Sequence, residues 1–391
     1  MAKHVLKFYP VANGDTTLLK LVDKTTILID CKIRDGEKDT NGNEIFDVKK
    51  DLLTEIQKSK STPFLDVFVL THGDHDHCQG FEKHFYSGKP ENYAKSNRDN
   101  DEILINELWV TSNIFGEHGN DDAKAVKKEA ERRRRLYLND DASKDDDGNR
   151  LRMIGYDGDK KFEKVPNNVP GDTITLKDIN GNSDENFEFF VHGPFKQSLI
   201  NANADKDRNS SSIILQGRFK DHKSDDWSSF FLTGGDADHY RWNEVLDKSK
   251  KNGNEDKLDW DIFQTPHHCS WTYFNDVPYS NEENDKPKQS SLDILDYGRS
   301  GSFIVASSKE IVDNDDNPPH YAANKEYVKK VDSDKFLNTN TNVSEKKPQP
   351  IVFETSVGGF KRTDKEGKVA EAALRGASAG LIKKPWCKTN E

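Results

Sequence analysis

The stretch VFVLTHGDHDHCQG, residues 67–80, decides how this chain is read. An apolar run, Val67-Phe68-Val69-Leu70, leads directly into His72, Asp74, His75, Asp76 and His77. The run has the β-branched and aromatic content of a buried strand. Ionisable groups resist burial unless something satisfies them, so a strand that ends on five of them needs an explanation.

Working outward, the segments able to form a core are short and mostly strand-like. HVLKFYPV (4–11), TTLLKLV (16–22) and TTILIDC (25–31) precede the stretch, with Asn13-Gly14-Asp15 as a turn. Residues 47–59 carry Val48, Leu52, Leu53 and Ile56 at helical spacing and predict a helix, and 63–72 predicts a strand. Further strands are expected at 105–112, 172–176, 186–194, 211–219, 228–236, 260–268, 302–308 and 350–360. Helices are expected at 121–138, 239–251, 290–298 and 322–331, and a polar stretch rich in Gly and Asp runs to about 160. No repeat of fixed period is present.

The chain has 391 residues, 33% hydrophobic and 32% charged, so much of its length must lie in solvated loops. A net charge of −11 does not suggest a protein that coats nucleic acid through a global positive field. Any polyanion would be met by a local basic patch or by metal ions. Cys31, Cys78, Cys269 and Cys387 are widely spaced and form no CxxC pair, which argues against a disulfide scaffold. The N-terminal residues carry no stretch apolar enough for a signal peptide, and nothing later approaches a membrane span. The expectation is a cytoplasmic protein with no membrane partner.

Three expected strands end on candidate metal ligands. The first delivers His72, Asp74, Asp76 and His77; the second delivers Asp236 through TGGD; the third delivers His267 and His268. Strand ends converge on one edge of a layered α/β domain. Carboxylates and neutral imidazoles suit zinc, manganese or iron. Residues two apart can be aimed at one point, so His72 and Asp74 would share one ion and Asp76 and His77 a second, with Asp236 bridging. Two divalent metal ions, Zn2+ or Mn2+, are the expected cofactors. The bland alternative is a solvated acidic loop.

These residues carry a family resemblance. THGDHDHCQG resembles the H-x-[HD]-x-D-H signature of the metallo-β-lactamase fold, and its Asp in second position resembles the hydrolase domain of ComEC/Rec2-type DNA-uptake proteins. FYPVANGDTTLL…ILIDC, NSSSIIL (209–215), FLTGGDA, TPHHCS and NPPHYAANKEYV are similar to further segments of that branch, in the same order. The resemblance runs from about residue 4 to 331. It implies an α/β fold, a four-layer αββα metallo-β-lactamase-like sandwich with polar insertions. The hydrolase domain is expected over 1–337, with 84–165 an insertion carrying a basic helix. Residues 338–391 are expected as a linker, a final strand and a peripheral tail.

The resemblance also assigns roles. The metal set is His72, Asp74, Asp76, His77 and Asp236 with one histidine of the 267–268 pair, His267 being favoured and His268 turned toward substrate. Asp76, His268 and His320 are the expected catalytic residues, His320 as a substrate contact or proton donor. Asp15 and Asp30 match acidic positions beside the metals, Asp30 to hydrogen-bond a ligating histidine. Asn209 stands where many members supply a further histidine, and His192 is a possible substitute. His75 occupies a variable position. Cysteine stands at 269 where the pattern usually has glycine; it is a small buried side chain or, in a sharper reading, a soft ligand or oxidation-sensitive centre.

The helix at 121–138 is the only strongly basic feature. Arg132, Arg133, Arg134 and Arg135 are expected either as a solvated face or as contacts to substrate phosphates. The function implied is a metal-dependent hydrolase, a phosphodiesterase or nuclease acting on nucleic acid or nucleotides through a metal-bridged hydroxide. Bacterial DNA processing or defence would be its setting. One alternative is a non-catalytic interaction module that depends on a protein partner of a multi-component system. An ester, thioester or lactam hydrolase is a third.

Overall fold

Apolar alternation along the chain becomes two mixed sheets in a computed structural model, which describes residues 3–155, 158–200, 208–221, 226–280 and 286–364. The strand Thr62–Val69 lies inside the first, ten-stranded sheet, parallel to Thr26–Ile29 on one side and to Leu104–Val110 on the other. Val5–Phe8 and Thr17–Lys20 extend that sheet as antiparallel neighbours, and Arg150–Ile154 adds a parallel one. The second sheet has seven strands, with Phe187–Gly193, Ile214–Lys220 and Trp227–Thr233 antiparallel and then Trp260–Gln264 and Gly298–Ala306 parallel.

Strand periodicity sends alternate side chains to different cores. Val67 and Val69 join Leu6, Phe8, Ile27 and Trp109 against Phe189, Leu215, Phe231 and Ile262 of the second sheet. Phe68 points the other way, with Leu28 and Leu108, onto Leu52, Phe81, Val126 and Ala130 of the covering helices. Leu232, Phe263 and Ile304 of the second sheet pack on Trp242, Val245, Ile294 and Tyr327. Helices thus cover the outer face of each sheet, and the first of these cores lies between the sheets. The result is a mixed α/β sandwich, in which the ends of Thr62–Val69, Trp227–Thr233 and Trp260–Gln264 all face one edge.

Two expectations change. The helix expected over 47–59 is Val48–Glu55, because Ile56 is extended and Gln57–Ser59 pairs back on Thr62–Phe64. Lys60 and Ser61 turn that hairpin with both φ angles positive, at 48° and 69°, as a two-residue turn of matching twist requires. The segment 84–165, read as an insertion, supplies two strands and the helix Asp121–Leu138 to the first sheet. Its strand Arg150–Ile154 was hidden because RLRMI has only three apolar residues and sits beside Asp- and Gly-rich sequence. The final strand expected over 350–360 is present as Ile351–Ser356, which pairs antiparallel with Val5–Phe8. Of the peripheral tail expected within 338–391, residues 365–391 lie outside the described residues. Among those described, no helix is long and apolar enough to cross a membrane.

Candidate metal centre

The strand Thr62–Val69 runs out at Thr71 and His72, and the chain turns at Gly73. A Cβ there would sit 2.5 Å from the His118 ring, so a larger residue would have to displace that side chain. Asp74 then precedes a short helix, His75–Cys78, which carries Asp76 and His77 inward while His75 faces out toward Asp122. The strand Trp227–Thr233 delivers Asp236 across Gly234-Gly235. After Trp260–Gln264, residues His267, His268 and Cys269 have successive φ angles of 48°, 53° and 69°. This left-handed run costs about 1–2 kcal/mol per residue without glycine. It also explains why glycine suits position 269. Strain of this kind concentrates at functional sites.

The outcome is a convergence on Asp236. His77 Nε2 and His268 Nε2 lie 3.0 Å and 3.5 Å from its Oδ1; His72 Nε2 and His267 Nε2 each lie 3.6 Å from its Oδ2. Asp74 Oδ2 stands 3.7 Å from His72 Nε2, and Asp76 Oδ2 stands 3.2 Å from His268 Nε2. Asp15 joins from the first turn of the chain, its Oδ1 3.5 Å from His268 Nδ1.

The opposite ring nitrogens are already engaged. His77 Nδ1 is 2.7 Å from Asp30 Oδ2, His72 Nδ1 is 3.1 Å from Thr71 Oγ1, and His267 Nδ1 is 3.2 Å from Thr272 Oγ1. Thr71 Oγ1 donates to Asp30 and Thr272 Oγ1 to Ser270, so each threonine oxygen is left to accept from its histidine. The network therefore assigns the proton to Nδ1 and turns the Nε2 lone pairs inward.

Those inward atoms lack partners. Asp15 Oδ1, His72 Nε2, His77 Nε2, Asp236 Oδ1 and both ring nitrogens of His268 are buried with no hydrogen bond. An orphaned buried polar atom costs about 1–3 kcal/mol, and six of them meet at this point. Asp15, His77, Asp236 and His268 each offer a ligand atom within 4.8 Å of the others and could hold a metal ion. Charges in the cluster act in the same sense. Burial disfavours the Asp236 carboxylate, but His77, His268, His267 and His72 overcome this and hold its pKa well below the usual range. Burial likewise opposes a charged His268, yet Asp236, with Asp15 and Asp76, holds that imidazole up to about 10. A divalent cation would replace these protons.

Of the histidine pair, His268 is the fully buried member, among Asp15, Asp76 and Asp236, while His267, the favoured ligand, also faces Asp236. His267 is the more exposed one, on the His72 side. Asp15, expected behind the ligands, is in the cluster itself. His320 is not brought in: its Nδ1 accepts from the Ala322 N–H, and its ring packs on Tyr279 and Trp271. Asn209 enters through its backbone carbonyl, which accepts from the Ser212 N–H, while Ser212 Oγ accepts from the Asp236 N–H. His192 is elsewhere, bonded through Nε2 to the Lys257 carbonyl. Cys31, Cys78 and Cys269 are buried in apolar cores, and burial pushes all three thiols up.

The basic run also falls away from the cluster. Arg132 begins 11 residues beyond Asp121, about 16 Å along the helix. Arg133 is buried on Glu129, Arg132 holds Glu129 and Asn149, and Arg134 lies over Phe115. Only Arg135 is exposed. One cation that the sequence reading passed over does reach the site: Arg208 Nη1 is 2.7 Å from Asp74 Oδ1. No protein-family model matches this chain, and no curated protein matches it in sequence.

Proposed function

We propose that the cluster binds two divalent cations, zinc or manganese, and that the protein is a metal-dependent phosphodiesterase acting on nucleic acid or nucleotides. One observation carries this reading: four histidine Nε2 atoms divide two and two over the oxygens of Asp236. One position would be held by His72, Asp74 and His267, the other by Asp76, His77 and His268, with Asp15 beside it. Asp236 would serve both. His267 thereby stands in for the histidine expected near Asn209. The layering of helices and sheets, with the cluster at strand ends, supports likeness to the metallo-β-lactamase fold and its ComEC/Rec2-type branch.

Cations in these positions would supply Lewis acidity toward a water molecule and a phosphoryl oxygen. The chain's own part is preorganisation. Asp30, Thr71 and Thr272 fix the ring tautomers, and burial of His72, His77, His268 and Asp236 excludes bulk water and strengthens every charge interaction.

The test begins with metal content of protein loaded with Zn2+ or Mn2+, together with the melting temperature with and without chelator. Two ions per chain and a higher melting temperature when loaded are expected. Loaded protein should cleave bis-p-nitrophenyl phosphate and labelled DNA, and Asp236→Asn should lose both metal and cleavage. A loaded wild-type protein inert on all these substrates, or an Asp236→Asn protein as active as wild type, would sink the reading.

A further inference from the structure

The charges of the proposed centre leave a gap. The carboxylates Asp15, Asp74, Asp76 and Asp236 balance two divalent cations, and Asp30 behind His77 leaves one negative charge over. A phosphodiester approaching such a centre needs one more cation. The arginine run of the helix Asp121–Leu138 is committed elsewhere. Lys32 lies near Asp76, but its ammonium is bonded to the Asn13 carbonyl and largely buried.

Arg208 is differently placed. Its Nη1 donates to Asp74 Oδ1 at 2.7 Å, while Asp74 Oδ2 faces His72. Asp74 therefore turns one oxygen into the cluster and the other toward the guanidinium. The Arg208 side chain is 26% exposed and Asp74 34%, so the pair sits on the solvent-facing side of a centre whose His72, His77, His268 and Asp236 are buried. Its backbone is anchored as well. The Arg208 carbonyl accepts from Ser211 Oγ at 2.7 Å and from the Ser211 N–H, and the next residue, Ser212, contacts Asp236. A planar fork of N–H donors fixed by a charge-assisted bond matches the geometry of a phosphate oxygen pair.

We propose that Arg208 is the substrate-binding residue that receives a non-bridging phosphate oxygen at this centre, and that it makes the site selective for phosphate esters. The proposal rests on the phosphodiesterase reading for its substrate class, but phosphate binding can be measured without turnover. Metal-loaded wild-type, Arg208→Ala and Arg208→Lys proteins, all full chain, are titrated with inorganic phosphate, and bound metal is determined on the same samples. The expected result is at least tenfold weaker phosphate binding in Arg208→Ala with unchanged metal content. Arg208→Lys should fall between, since it keeps the charge and loses the fork. If the wild type also turns over bis-p-nitrophenyl phosphate, KM should rise in the same order. Phosphate binding to Arg208→Ala at wild-type strength overturns the proposal, as does a wild type that binds no phosphate. Loss of metal together with phosphate overturns it too, since Arg208 would then serve only to position Asp74. A wild type that cleaves nothing yet binds phosphate through Arg208 sinks the phosphodiesterase reading and leaves this one standing.

Discussion

His77 Nδ1 and Asp30 Oδ2 lie 2.7 Å apart with both side chains sealed from solvent. Asp30 is itself held by the Thr71 N–H at 2.7 Å and the Thr71 hydroxyl at 2.6 Å, so the carboxylate cannot swing away. An aspartate so fixed sets the tautomer of the imidazole and raises its basicity at Nε2. Asp30→Asn should therefore weaken metal binding about 10–100-fold while leaving the secondary structure intact. Metal competition with a chromophoric chelator and circular dichroism check the two halves; wild-type affinity in the variant would remove Asp30 from the centre.

How far the sequence made this legible depends on the kind of signal. His72, Asp74, Asp76 and His77 lie within six residues behind an apolar strand, and local spacing was enough to group them. Asp236 and His268 sit at other strand ends, so the rule that strand ends share an edge reached them. The rest needed tertiary placement. That His267 and His268 both turn toward Asp236 goes with three successive positive φ angles that no spacing announces. Arg208 meets Asp74 across 134 residues, and no pattern in DRNSSS predicts that contact. The arginine run misled for a related reason. Its composition says phosphate, but Glu129, one turn earlier on the helix, binds two of the four side chains.

Gly235 links the backbone strain of the site to its ligands. Its φ is +50°, and a Cβ there would lie 2.7 Å from Thr71 Oγ1, the hydroxyl that bonds Asp30. The Gly235 carbonyl also accepts from the His267 N–H at 3.0 Å. Gly235→Ala should cost about 1–3 kcal/mol through the left-handed backbone and the contact with Thr71. Because Thr71 and His267 both move, metal affinity should fall as well. Urea unfolding of the chelated protein and metal titration of the folded protein separate the effects. A variant with unchanged stability would show that the turn relaxes freely.

Two buried histidines outside the centre set a pH dependence. Burial pushes His4 down to about 4, and both of its ring nitrogens lack partners beside Phe219. Burial also pushes His192 down to about 4, although the Lys257 carbonyl partly offsets this. Both bind fewer protons folded than unfolded between pH 4 and about 6.5. Stability therefore rises with pH across that window and is lost as the solution is acidified through it, by up to roughly 3 kcal/mol for each histidine. His4→Leu should flatten the slope of stability between pH 4.5 and 7, read from urea midpoints of the chelated protein. An unchanged slope would mean that His4 charges without cost.

Arg133 decides whether the basic helix is a binding surface or a structural tie. Its side chain is 1% exposed; Nε donates to Glu129 Oε1 at 2.7 Å, Nη1 to the Arg150 carbonyl at 2.9 Å, and Nη2 to the Ile105 carbonyl at 2.9 Å. It thus fastens the helix Asp121–Leu138 to the strands Leu104–Val110 and Arg150–Ile154. Truncation would orphan two carbonyls and open a cavity, whereas Glu129 would keep Arg132 as a partner. Arg133→Ala should accordingly lose about 3 kcal/mol, and Arg135→Ala, at an exposed position, no more than about 0.5 kcal/mol. The pair is compared by urea unfolding and by DNA binding in low salt. If Arg133→Ala kept wild-type stability and lost DNA binding, the arginine run would return as a nucleic-acid contact. If it unfolds early while Arg135→Ala binds DNA as wild type does, the run belongs to the fold, and a phosphate at the proposed site would be met by bound cations and Arg208 instead.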